Sequence, residues 1–209
     1  LVPMEKELTA LVVGLGNREV TPDALGPDVV SNLRITRHVI QEYGVQSMGR
    51  EYANSISGLV PGVMAQTGME TLEIIKGVVD ETKPDVVFAV DALAARSTKR
   101  LNRTIQITDT GINPGSGVGN HRNGLSEETL GVKVIGIGVP TVVDAATIVQ
   151  DSMAHLLDTL EESEKKEFLE EMIAPSLHSM FVTPKDVDET VKRLSYTISE
   201  GLNMAFEQA

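Results

Sequence analysis

The residues best placed for chemistry in this sequence are carboxylates. Asp23 stands in Thr21-Pro22-Asp23-Ala24-Leu25-Gly26, shortly after an apolar run that ends at Leu15, and Asp91 opens Asp91-Ala92-Leu93-Ala94-Ala95-Arg96, directly after a second run that ends at Val90. In open α/β sheets ligands gather at the carboxyl ends of strands. Both aspartates are therefore expected on one rim of a sheet, near enough to hold a water between them. Two carboxylates in one low-dielectric site do not both ionise cheaply, so one keeps its proton. The ionised member can then deprotonate water while the protonated one polarises a peptide carbonyl, the division of labour that amide hydrolysis requires. Taken singly, each also has a structural reading. Asp23 falls in a first helical turn after a Thr-Pro signal, and Asp91 can cap the segment that starts at Ala92.

The same rim holds other candidates. Asn17 and Arg96 are expected to support or bind substrate beside the two aspartates. Asp109-Thr110-Gly111 has the look of a pepsin-type catalytic loop, but it occurs once and in a helix-rich α/β setting, so Asp109 is read as a further strand-end aspartate lining the cleft. In Asn113-Pro114-Gly115-Ser116-Gly117-Val118-Gly119-Asn120, Gly115 and Gly117 allow close approach to an extended substrate. A plain loop is an equal reading there. Gly14-Leu15-Gly16 follows a strand, but Glu19 occupies the place of a dinucleotide fingerprint's third glycine, and no Gly-Lys-Ser/Thr ending marks a P-loop. Ser116 lacks a nucleophile-elbow context. The histidines His38, His121, His155 and His178 are dispersed; only His121 is weighed as a metal ligand, with Asp23 and Asp91. Asp144 is read as a capping partner of Thr141. No cofactor is expected.

These residues must be positioned by a scaffold of limited size. The 209 residues, 41% of them hydrophobic, can bury one substantial core. Continuous β-branched runs at Leu8–Leu15, Asp85–Val90 and Val132–Val139 suit strands covered on both faces, with weaker strands at Thr104–Thr108 and Ser55–Val60. Helical stripes fall on Val29, Leu33, Thr36 and Ile40, and on Leu72, Ile75 and Val79. The alternation predicts a three-layer α/β fold with a mostly parallel twisted sheet. It is expected to form a single domain over 1–209, with 159–209 a helical C-terminal extension. Within that extension Glu161-Glu162-Ser163-Glu164-Lys165-Lys166 reads as a solvated helix, and Val187, Val191, Leu194, Ile198 and Leu202 form the stripe of a last helix with Thr183 as its cap.

Composition excludes several function classes. With no cysteine there is no disulfide, thiolate zinc site or cysteine nucleophile. A net charge of −12 and 3% aromatic residues argue against nucleic-acid binding. No apolar run reaches the ~20 residues that span a bilayer. A cytoplasmic protein with a protein or peptide partner is expected.

Several motifs in order carry a resemblance. Val13-Gly14-Leu15-Gly16-Asn17, Thr21 to Pro27, Pro61-Gly62-Val63-Met64, Lys83-Pro84-Asp85, Asp91 to Arg96, Thr108 to Asn120 and Gly138 to Ala145 together resemble the germination protease family of spore-forming Firmicutes, and the match returns at Val182-Thr183-Pro184-Lys185. The resemblance implies a fold akin to hydrogenase-maturation endopeptidases and an endopeptidase that degrades small acid-soluble spore proteins during germination in the spore core. It implies Asp23 and Asp91 as the catalytic pair. It also implies a tetramer and a zymogen with a self-cleaved propeptide. Relative to the family pattern the chain is shorter before Leu11 and ahead of the last helix. Two other functions fit the same residues: a metal-sensing maturation-type endopeptidase and an inactive peptide-binding module.

Overall fold

A computed structural model of the chain describes residues 7–115, 123–157 and 173–208. Its centre is a mixed, mostly parallel sheet. Strands β1 (Thr9–Gly14), β2 (Ser55–Leu59), β3 (Val86–Ala95) and β5 (Lys133–Asp144) run parallel, and β4 (Gln106–Thr108) pairs antiparallel on the outer edge of β5, giving the order β2-β1-β3-β5-β4. A short β6 (Phe181–Val182) pairs antiparallel with Val143 and Asp144 farther along β5.

The uninterrupted apolar runs form central strands because helices cover both faces. One face of β1, β3 and β5, with Val12, Phe88, Val90 and Ile137, packs on Leu25 and Val29 of α1 (Leu25–Ser31) and on Val191, Ile198 and Leu202 of α7 (Val187–Gln208). The opposite face, with Leu11, Val13, Val87 and Val134, packs on Ile75 and Val79 of α4 (Thr71–Thr82) and Leu130 of α5 (Glu127–Leu130). Three layers result. Between these elements lie α2 (Arg37–Tyr43) and α3 (Met64–Thr67), while α6 (Ala145–Leu157) continues directly from β5.

At the amino ends of the strands the structure is closed. Phe206 of α7 meets Phe88 edge-on, with ring centroids 5.5 Å apart. The buried Asn54 accepts the Leu8 amide at 2.8 Å and donates to the Phe206 carbonyl at 2.6 Å, so the last turn of α7 is tied to the start of β1. Buried polar groups satisfied in this way cost little and fix a unique packing.

Several sequence expectations are revised. The stripe from Val29 to Ile40 is two helices rather than one. Thr36 donates its hydroxyl to the Asn54 carbonyl and accepts the Ile56 amide, which ties the intervening chain to β2 instead of letting the helix continue. β3 and β5 run past their expected ends to Ala95 and Asp144, because they pair with each other where their other neighbours stop. The C-terminal part is not helical throughout: a 3-10 turn at Pro175–Ser179 and β6 precede α7. Thr183 does not cap α7. Asp186 stands there, accepting the Thr190 amide at its carbonyl and the Thr190 hydroxyl at its carboxylate. The charged run Glu161 to Lys166 lies outside the described residues.

Candidate active site

β1 stops one residue short of Asp91. Gly14, its last residue, pairs with Val90, and the Leu15 amide donates to the Val90 carbonyl at 2.8 Å before the chain leaves the sheet. β3 continues alone with β5, and its next pair is Asp91 with Gly138. Asp91 is thus not a residue after the strand, nor a helix cap. It is an in-strand residue, 4% exposed, and the first to pass the end of a neighbouring strand. Side chains alternate along a strand, so Asp91 shares its face with Val87 and Ala89, the face that α4 covers.

Asp23 arrives from the other crossover. After β1 the chain forms a 3-10 turn at Thr21–Asp23 and then α1. The half-buried Asp23 accepts the Asn17 amide at its Oδ2, 2.7 Å away. The Asn17 side chain in turn accepts the Glu19 amide at 3.0 Å and the Gln66 side-chain amide at 3.2 Å. Two glycines make this compact turn possible. Gly16 has φ +110°, and a Cβ there would lie 2.1 Å from the Asp23 carbonyl oxygen. A Cβ at Gly26 would lie 2.4 Å from the Leu15 carbonyl oxygen and 2.5 Å from that of Val90. Here glycine lets α1 begin directly against β1 and β3, a packing role in place of a nucleotide fingerprint.

Asp23 and Asp91 line one cleft of about 630 Å³ at this end of the sheet, together with Arg96 and Gly115. Asn17 does not line the cleft and meets Asp23 through its backbone amide. Asp109 is not brought to the cleft. β4 runs antiparallel, so Gln106 stands level with Gly138 and Asp91 while the chain beyond Thr108 heads for the opposite end; Asp109 is exposed there. Gly117, Ser116 and His121 lie outside the described residues, as do the side chains of His155 and His178. His38 is exposed on α2. Among the described residues no group of three His, Asp or Glu is arranged to hold a metal ion, and no helix is long and apolar enough to cross a membrane.

The cleft also contains residues that sequence reasoning missed, notably Arg100, Gln106, Thr141 and Phe181. Arg100 follows Lys99 in a polar turn and no spacing singles it out. Thr141 was paired with Asp144 as a cap, but Asp144 caps α6 by itself, accepting the Thr147 amide at 2.6 Å and the Thr147 hydroxyl at 2.9 Å. The turn that carries Arg100 is held by Asp151 of α6. Its Oδ2 accepts the Thr98 hydroxyl at 2.6 Å, the Thr98 amide at 2.7 Å and the Ser97 hydroxyl at 3.1 Å. The Thr98 hydroxyl above all holds the Asp151 carboxyl below its ordinary range; burial opposes this, and the Thr98 amide, Ser97 and Lys99 reinforce it.

The family model for germination protease matches residues 2–160 and 153–209. A germination protease of Caldanaerobacter subterraneus subsp. tengcongensis is 48% identical over 224 residues, an alignment that covers 99% of this chain and 68% of the relative. Those of Clostridium tetani and Bacillus subtilis are 46% and 42% identical, covering 100% and 98% of this chain and 69% and 68% of their own lengths. Among solved structures, a [NiFe] hydrogenase maturation protease from Thermococcus kodakarensis is similar with a TM-score of 0.46 and 16% identity, over 96% of this chain and 94% of that one.

Proposed function

The chain belongs to the germination protease family, hence to the spore proteases, and on that footing we propose that it is an aspartic-type endopeptidase whose Asp23 and Asp91 activate a water against the peptide bonds of small acid-soluble spore proteins. The observation that carries this reading is the convergence of the two carboxylates, delivered by separate crossover units, on the walls of one cleft. In the reaction one member of the pair is ionised and takes a proton from the water, whose oxygen attacks the scissile carbonyl carbon. The other, protonated, donates a hydrogen bond to the carbonyl oxygen as negative charge builds there. Collapse of the tetrahedral intermediate expels the amine, which leaves with a proton returned by the pair. In this reading Asn17 orients Asp23 through its amide, and Arg96 and Gly115, on the cleft wall, contact the bound polypeptide.

The small acid-soluble protein substrate, the spore-core location, the zymogen stage and the tetramer are part of the same proposal, and what supports them is the family resemblance of the motifs. The test is cleavage of a purified small acid-soluble spore protein, with and without a chelator. Chelator-resistant cutting that disappears in both D23N and D91N is the expected result. Loss of cutting on chelation points instead to a metal-sensing, maturation-type enzyme, and absence of cutting by wild type points to a peptide-binding module. Normal cutting by either variant overturns the site assignment.

A further inference from the structure

β5 does not follow β3 in unbroken register. Leu93 faces Pro140, but the next residue, Ala94, faces Val142, so Thr141 is an extra residue on β5. Such a bulge bends the strand and re-aims the side chain of the inserted residue. Thr141 is 1% exposed, and its hydroxyl donates to the carbonyl oxygen of Pro22 at 2.6 Å. Pro22 immediately precedes Asp23, and Thr141 lines the cleft with both aspartates. The bulge itself is held from outside the sheet: the Thr141 carbonyl accepts the Thr183 hydroxyl at 3.1 Å, and the Pro140 carbonyl accepts the Asn102 amide at 2.7 Å.

This bond spans a gap that the sheet leaves open. Backbone pairing between β1 and β3 ends at Gly14 and Val90, below the level of Asp91. The Asp23 turn closes on itself, with the Asp23 amide donating to Val20 at 2.8 Å and the Ala24 amide to Thr21 at 3.2 Å. The Thr141 hydroxyl reaches from the β3–β5 ribbon, which carries Asp91, to the turn that carries Asp23. We infer that Thr141 is a positioning residue, turned by the β5 bulge onto Pro22 so that it sets the placement of Asp23 relative to Asp91. The role rests on the aspartate-pair reading above; the tether itself does not.

The test compares T141V, which keeps the shape and removes the donor, with T141S, which keeps the donor. Misplacing one partner of a catalytic pair costs chemistry more than binding. Thus T141V should lower kcat ~10–100-fold with KM within about threefold of wild type, while T141S stays within about threefold in both. Hydrogen exchange supplies a second readout. Amides of Val20, Asp23 and Ala24 should exchange roughly tenfold faster in T141V and at the wild-type rate in T141S, with β1 unchanged in both. If those amides are as protected in T141V as in wild type, or if T141S loses as much kcat as T141V, the inference is overturned. Should wild type cut nothing, the proteolytic reading fails alone and the exchange comparison still decides the tether. Should T141V fail to fold, T141A is read against T141S in the same way.

Discussion

From Val86 to Val90, β3 lies between β1 and β5 and is buried on both faces; from Asp91 to Ala95 it keeps β5 on one side and faces the cleft on the other. One continuous strand is therefore scaffold over its first half and candidate site over its second. The scaffold half is stabilised by apolar area removed from water, at roughly 25 cal/mol per Å². The site half instead holds a carboxylate at 4% exposure, a group that costs free energy to bury and that a stability-optimised strand would not contain. Stability and activity should thus respond to different halves of the same element.

The sharpest break of that comparison would come from the aspartates. D91N and D23N should each lower cleavage by ~10²–10⁴-fold, the range of a lost general acid or base. The folded state should survive in both, since Asn keeps the shape of Asp and most of its hydrogen-bonding capacity. Thermal unfolding followed by circular dichroism checks this. A large fall in the melting temperature of D91N would mean that the site half is structural after all.

Four residues before Asp91 on the same strand the expectation reverses. Val87 is fully buried between β1, β5 and α4, and V87A should cost about 2 kcal/mol through lost transfer energy and an incompletely filled cavity. Its kcat, measured well below its melting point, should match wild type. Urea titration gives the first quantity and initial-rate kinetics the second. A V87A enzyme of normal stability and reduced kcat would erase the distinction between the halves.

How far the sequence foretold this arrangement follows the same division. The apolar runs at Val12, Val87 and Val134 named the central strands because burial on both faces demands uninterrupted β-branched residues, and the stripe from Val187 to Leu202 named α7. The cleft wall was legible where a strand end and a turn signal coincide, at Asp23, and where an apolar run meets a carboxylate, at Asp91. It was not legible where placement depends on strand direction or register. Asp109 follows a β-run as Asp91 does, yet an antiparallel β4 sends it away from the cleft. Thr141 looked like half of a capping pair, since nothing local in Pro140-Thr141-Val142 announces a bulge. Arg100 enters the cleft because Asp151, some fifty residues later and on another element, holds its turn.

That last tether sharpens the comparison at its smallest scale, because it joins the end of the site half of β3 to α6 by charge-assisted hydrogen bonds rather than by packing. Asp151 accepts two hydroxyls and one amide, and the folded state holds its carboxyl below the ordinary value of ~3.9. A group with a depressed folded pKa contributes stability that is fully present above its unfolded pKa and is lost as pH falls through the folded one. D151N should therefore melt below wild type by a constant margin from neutral pH down to about pH 5, a deficit of up to about 1 kcal/mol for a partly solvated cluster. Below about pH 4 the margin should shrink as wild-type Asp151 takes up its proton and gives up the same advantage. V87A should show no such convergence, because a cavity between apolar side chains has no proton to gain. Melting curves of the three proteins, taken stepwise to the lowest pH at which wild type stays folded, separate the two behaviours. A D151N deficit that persists undiminished at the acid end would mean that shape, not charge, holds the Ser97–Arg100 turn. The line between a packed scaffold and an electrostatically tethered site would then have to be drawn elsewhere.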